Sequence, residues 1–132
     1  MIGGMKRYLC TAIVVAVMLT DPAKAARDDL HRFATCAGRL SALMEHQWMF
    51  DGPGSEQTEL LRAEMVALID AIVLSDQRPQ TLEWRLSAKH AHGVLLRRAS
   101  FNPDPVDSAW AQQMADQLVR GCTGLLTSSW SS

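Results

Sequence analysis

Cysteine is scarce in this chain. There are three in 132 residues, and none has a C-x-x-C or C-x-x-H neighbour. That spacing argues against zinc ribbons, and without C-x-x-C-H there is no covalent haem attachment. Basic charge is scarce too: the formal net charge is −1, and beyond Lys6-Arg7 at the start, Arg97-Arg98 is the one basic cluster. A nucleic-acid binder needs a basic face, so no nucleic-acid partner is expected. Strand-like alternation is nearly missing, as are internal repeats, low-complexity tracts and linkers between domains.

The motifs of several enzyme classes are missing as well. H-E-x-x-H and E-x-x-H do not occur, which removes the helical zinc-peptidase and di-iron patterns. There is no G-x-S-x-G, and Ser87 to His90 (SAKH) has the wrong spacing for Ser-x-x-Lys. Asp51 to Ser55 (DGPGS) has glycines but no Walker pattern. Dispersed carboxylates of the glycosidase kind need no sequence proximity, yet most acids here fall at helix starts or outer faces, where capping and solubility account for them. Of the seven methionines, Met44, Met49, Met65 and Met114 lie beyond the leader. Three of these fall on apolar stripes, which suits packing better than a copper site. No catalytic residue, cofactor or metal site is expected.

Long hydrophobic runs are limited to one, residues 9–19, broken only by Thr11. It is about half the ~20 residues needed to cross a bilayer. Lys6 and Arg7 precede it, and Ala23-Lys24-Ala25 follows with small residues placed for a cut after Ala25. This is the pattern of a secretory signal peptide. Met5 offers an alternative start, and Cys10 lacks a lipoprotein context. The expected organisation is a signal peptide at 1–25 and a single helical domain at 26–132, with no stable membrane anchor after cleavage. The mature part carries 10 basic and 13 acidic residues, a net −3. Periplasmic or secreted localisation follows, and Cys36 and Cys122 remain as an even pair in an oxidising compartment.

Apolar residues recur at 3.6-residue spacing in four segments. The first, 28–50, is capped by Asp28 or Asp29 and places Phe33, Cys36, Leu40, Leu43, Met44 and Gln47 on one face. The second, 55–75, has Ser55 as N-cap and a stripe of Leu61, Met65, Leu68, Ile69 and Ile72. The third, 79–100, aligns Trp84, Ala88, Ala91, Leu95 and Ala99; its alanines allow a close neighbour, and Gly93 lies opposite them. The fourth, 105–126, follows an Asp104 cap, with Pro105 in first position and Asp107 in the first turn. Its stripe is Trp110, Met114, Leu118, Cys122 and Leu125, and Gly121 leaves its last turn open.

Four such segments joined by short loops describe an all-α, up-down four-helix bundle. Segments one and four run antiparallel there. Cys36, two turns into the first, and Cys122, one turn from the end of the fourth, reach the same level with inward side chains. A single interhelical disulfide is the expectation.

Two apolar regions exceed what a bundle seam needs. Met65 to Leu74 (MVALIDAIVL) is apolar almost all round. Its first reading is a helix boundary; its second is a contact surface made by Leu60, Ala67, Ala71 and Leu74. Trp48, Met49 and Phe50 crowd one end of the bundle, where they read first as a plug over the core and second as interface anchors. The histidines His31, His46, His90 and His92 are expected at the surface or its boundary. His90 and His92 sit about 200° apart on a helix and cannot share a metal. The functional expectation is a non-enzymatic interaction or accessory domain that binds another protein or itself. The alternatives are a small-ligand or metal carrier using the bundle interior and an exported hydrolase with dispersed carboxylates.

Overall fold

The structure, a computed structural model, describes residues 21–129; residues 1–20, which carry the charged start and apolar run of the expected leader, lie outside them. The regular structure of the described residues is helical: α1 (Pro22–Phe50), α2 (Gly52–Ile72), a one-turn 3₁₀ helix (Ser75–Gln77), α3 (Arg78–Phe101) and α4 (Pro105–Ser129).

Local chemistry sets the boundaries, and in two places it corrects the expected ones. α1 begins at Pro22 because Asp21 accepts a hydrogen bond from the Ala23 N–H (3.0 Å) and Pro22 takes the first position. Asp28 and Asp29 are therefore exposed helical residues, not the caps of α1. The Asp-Pro start signal was hidden in a segment assigned to the leader. The expected cut after Ala25 falls inside this first turn. Residues 21–29 are exposed, and the first buried side chain is Leu30.

α2 begins at Gly52 rather than Ser55. Asp51 accepts from the Gly54 N–H (3.1 Å) while its own N–H donates to the Gln47 carbonyl (2.7 Å), so one residue ends α1 and starts α2. Glycine and proline are tolerated in a first turn, whose N–H groups lack intrahelical acceptors anyway. Ser55 is buried inside the helix, its hydroxyl donating to the Gly52 carbonyl (2.5 Å). The expected start of α4 holds: Asp104 accepts from the Val106 N–H (3.0 Å), and Pro105 and Asp107 stand in the first turn. Gly121 does not end α4, which continues to Ser129.

The four helices form an up-down bundle with α1 at its centre. α1 packs antiparallel along α2 and parallel along α3, and α3 packs on α4. The α1–α3 approach depends on Gly38. A Cβ there would collide with the Arg85 carbonyl oxygen, lie 2.9 Å from the Lys89 nitrogen and 3.0 Å from the Ala88 Cβ. Thus Ala88 does admit a close neighbour, as its stripe suggested. With α1 and α3 drawn together across the bundle, no Cα of α2 lies within 8 Å of one in α3.

The main core gathers Leu30, Ala34, Leu40, Met65, Ile69 and Leu126 around Cys36 and Cys122. The two sulfurs are bonded at 2.08 Å, with the Cα atoms 5.4 Å apart and a sequence separation of 86. A second, smaller cluster joins Ala42, Leu96 and Ala115. The stripes of α3 and α4 differ in part from expectation. Thr81, His92 and Leu96 are the buried residues of α3, whereas Ala91 is exposed. In α4, Ala111 and Ala115 are buried and Trp110 is 48% exposed, with Arg98 5.1 Å from its ring centre. Close helix approach selects small residues at the seam, which moves the bulkier neighbour one position on to the rim.

Candidate functional site

Two kinds of feature lie beyond structural packing: an apolar groove that opens between α1 and α3, and a buried polar side chain facing α4.

The groove follows from the Gly38 contact. α1 and α3 touch at that level and leave a depression of about 560 Å³ toward their C-terminal ends. Leu86, Lys89, Gly93, Arg97 and Phe101 line it from α3, and Ala42, Glu45, His46 and Met49 from α1. A second hollow of about 410 Å³ adjoins it through the shared residues Glu45, Leu86 and Lys89, and it reaches Trp48, Leu82, Arg85 and the α2 residue Arg62. The Lys89 ammonium donates to Glu45 at 2.5 Å between the two hollows. Gly93 keeps the middle of the groove open: a Cβ built there meets only the end of Arg97, at 3.8 Å.

The aromatic end does not plug the core. Trp48, Met49 and Phe50 are 63%, 62% and 59% exposed, and Phe101 is 61% exposed. Phe50 stacks at 5.9 Å on Phe101 and at 4.8 Å on His46. These rings cap nothing because Asp51 turns the chain immediately after them, outside the helix seam. They continue the groove outward as one apolar surface. Leu82 and Leu86, both more than half exposed, extend it the other way.

The outer face of α2 is likewise open. Leu60, Ala67 and Ala71 are exposed on it, Leu60 at 61%; Leu74, expected on the same face, is also 61% exposed but lies past the helix in extended backbone, because α2 ends at Ile72. Val66 and Val73 are half-buried against the core, so the apolar spread of this helix divides between packing and solvent. Ile72, assigned to the core stripe, is 39% exposed.

His92 is the residue that sequence reasoning placed wrongly. It is 2% exposed, and neither ring nitrogen has a hydrogen-bond partner among the described residues. Burial chiefly pushes its pKa down to about 4, and the nearby positive charge of Arg39 acts in the same direction. It lines a cleft of about 260 Å³ with Gln47, Asp116 and Arg120. Arg39 is half-buried; burial lowers its pKa, and it points a guanidinium nitrogen at the Cys122 sulfur at 4.0 Å. A polar residue one position from an apolar stripe carries no sequence signal of burial, and so His92 was read as a boundary residue. His31 and His90 are exposed and His46 half-buried, as expected. His31 packs edge-on against Trp84 at 4.7 Å.

Among the described residues, no group of three or more His, Cys, Asp or Glu side chains is placed to hold a metal ion. No described helix is long and apolar enough to cross a membrane. Comparison with protein-family models, with curated proteins and with solved structures finds no match to this chain.

Proposed function

We propose that this chain is a small exported interaction domain that works by docking, with the α1–α3 groove and its aromatic end as the docking face. The observation that carries this reading is the set of exposed apolar side chains gathered along the groove, Leu86, Met49 and Phe101, with Phe50 against Phe101 at one end and Leu82 in the adjoining hollow at the other. Isolated exposed apolar residues are ordinary, but a connected patch with aromatic anchors and a charged rim has the anatomy of an interface. The disulfide and the expected leader support work outside the cytosol, in the periplasm or as a secreted protein.

A small-ligand carrier is the second reading, favoured by the unpartnered nitrogens of His92. The cleft beside His92 is about 260 Å³, below the ~300–1,000 Å³ usual for ligand sites. The groove is larger but open along its length, which suits a helix or strand better than a small molecule.

The test is capture from the native compartment with the oxidised protein as bait. Gly93→Trp fills the open centre of the groove without touching the core. Phe101→Glu places a charge on the aromatic end. With helicity retained by circular dichroism, both variants are expected to lose the contacts that the unmodified protein makes. Contacts that survive both changes would place the docking face elsewhere.

A further inference from the structure

We infer that the occupant of the groove is the outer face of α2 from a second copy of this chain. This inference rests on the docking reading above and supplies its partner.

Charge comes first. Arg97 lines the groove and Arg85 the adjoining hollow, and neither lies within 4.0 Å of a carboxylate among the described residues. Lys89 is already occupied by Glu45. The outer face of α2 has the opposite character. Glu56, Glu59 and Glu64 are exposed there, and none has a cationic partner among the described residues. The chain thus carries an acidic helix face and, at the groove and its adjoining hollow, two arginines, each side lacking its counterpart within one copy.

Spacing and shape agree with the charge. Leu60, Ala63, Ala67 and Ala71 recur every three or four residues on the exposed side of α2, and Leu74 stands exposed in extended backbone just past its end. From Leu60 to Ala71 the helix rises about 16 Å, which fits within the about 22 Å that the groove edge rises from Leu86 to Phe101. The middle of the α2 face is built of alanines, and the middle of the groove holds Gly93, with open space where a side chain would stand. Small residues on both sides let two helix backbones come close, while Leu60 at one end of the α2 face meets an apolar end of the groove. α2 cannot fill the groove of its own copy, because this face points away from α1, on which the opposite side of α2 packs through Met65 and Ile69. The contact joins two different patches. It therefore yields either a two-fold pair that makes it twice or a head-to-tail assembly.

Sedimentation equilibrium of the exported, oxidised protein tests this over a concentration series. The unmodified protein is expected to show a mass that rises above one copy with concentration. One variant reverses the groove (Arg85→Glu with Arg97→Glu) and another reverses the α2 face (Glu59→Lys with Glu64→Lys). Each alone is expected to associate at least about tenfold more weakly, because like charges then face each other across the contact. An equimolar mixture of the two is expected to regain association, since the acidic groove of one then meets the basic helix of the other. Gly93→Trp, which stays folded because its side chain enters open space, is expected to remain single at every concentration. An unmodified protein that stays single up to millimolar concentration overturns the inference. So does a mixture that associates no better than its components. In either case, capture of another protein that Gly93→Trp abolishes preserves the docking reading and removes only self-docking.

Discussion

At the scale of single residues, the buried imidazole of His92 has a consequence for stability against pH. Its folded pKa of about 4 lies below the ordinary 6.5, because burial penalises the charged ring and Arg39 repels it; Asp116 acts the other way and His46 adds a little to the lowering. Between these two values the unfolded chain binds the proton and the folded one does not. Stability is therefore full above about pH 6.5 and is lost progressively as the pH falls toward 4. The shift corresponds to at most roughly 3 kcal/mol at 1.36 kcal/mol per unit. Urea denaturation at a series of pH values should show this slope in the unmodified protein and a much flatter one in His92→Leu. Leucine at that site should cost little at neutral pH, since it removes two buried nitrogens that lack partners. An equal slope in both proteins would assign the acid sensitivity to other groups. A second residue-scale feature lies at the α3–α4 corner. Arg98 donates to Asp107 at 2.6 Å and chiefly through that bond holds its carboxyl below the ordinary value. Both groups are at the surface, and the pair serves to orient the turn more than to stabilise it.

At the scale of elements, two glycines separate the structural from the functional role of a missing side chain. Gly38→Ala drives a Cβ into the α3 backbone at Arg85 and Lys89, which cannot move without parting the helices. A loss of roughly 1–3 kcal/mol is expected, the range for overpacking a tight contact. Gly93→Ala meets open space and should instead raise stability by up to ~1 kcal/mol, the helix-propensity difference. Thermal denaturation of the two variants side by side checks the sign of each. A stabilised Gly38→Ala would mean that α1 and α3 sit further apart.

The two positions also show what periodicity could and could not reveal. The number of helices, the breaks between them and the Asp104-Pro105 start were legible because breakers and caps act locally. The inward side of α1 was legible because Cys36, Leu40 and Met44 are large and regularly spaced. The seams of α3 and α4 were not, because there the small residues face inward: a pattern that weights bulk places Trp110 inside and passes over Ala111 and Ala115. Exposure of Leu60, Ala67 and Ala71 was legible from angular spread, whereas Leu74 is exposed outside the helix, which ends at Ile72. The groove was not, since it exists only because Gly38 brings together two helices that are far apart in sequence.

At the scale of the whole molecule, the disulfide joins helices that otherwise meet only lightly. α1 and α4 share few close approaches apart from Cys36 and Cys122 and the small cluster at Ala42 and Ala115. Closing 86 residues of sequence into a loop is worth roughly 4.5 kcal/mol on a chain-entropy estimate, and removing a native bridge from a small domain typically costs 2–5. Cys36→Ser with Cys122→Ser is expected to lower the urea midpoint by a corresponding amount. α4 should loosen first, read as faster amide exchange there than in α1 or α2. Uniform loosening of all four helices would show that α4 is held by its packing on α3 instead.

That bond also orders events in time. Of the two bonded sulfurs, that of Cys36 is made first, and that of Cys122 follows 86 residues later, after α2 and α3 have been made in full. Through that interval α1 and α2 can form a hairpin, but the core around Leu30 and Met65 lacks Cys122 and Leu126 and stays open to water. An early thiol with no mate is exposed to any oxidised cysteine in reach, and the mixed pair so formed must be exchanged before the native one closes. Completion of α4 supplies at one stroke the missing wall of the core and the correct sulfur. The covalent link is thus a record of finished synthesis: a chain halted between Cys36 and Cys122 lacks both the bond and the closed core of a whole one.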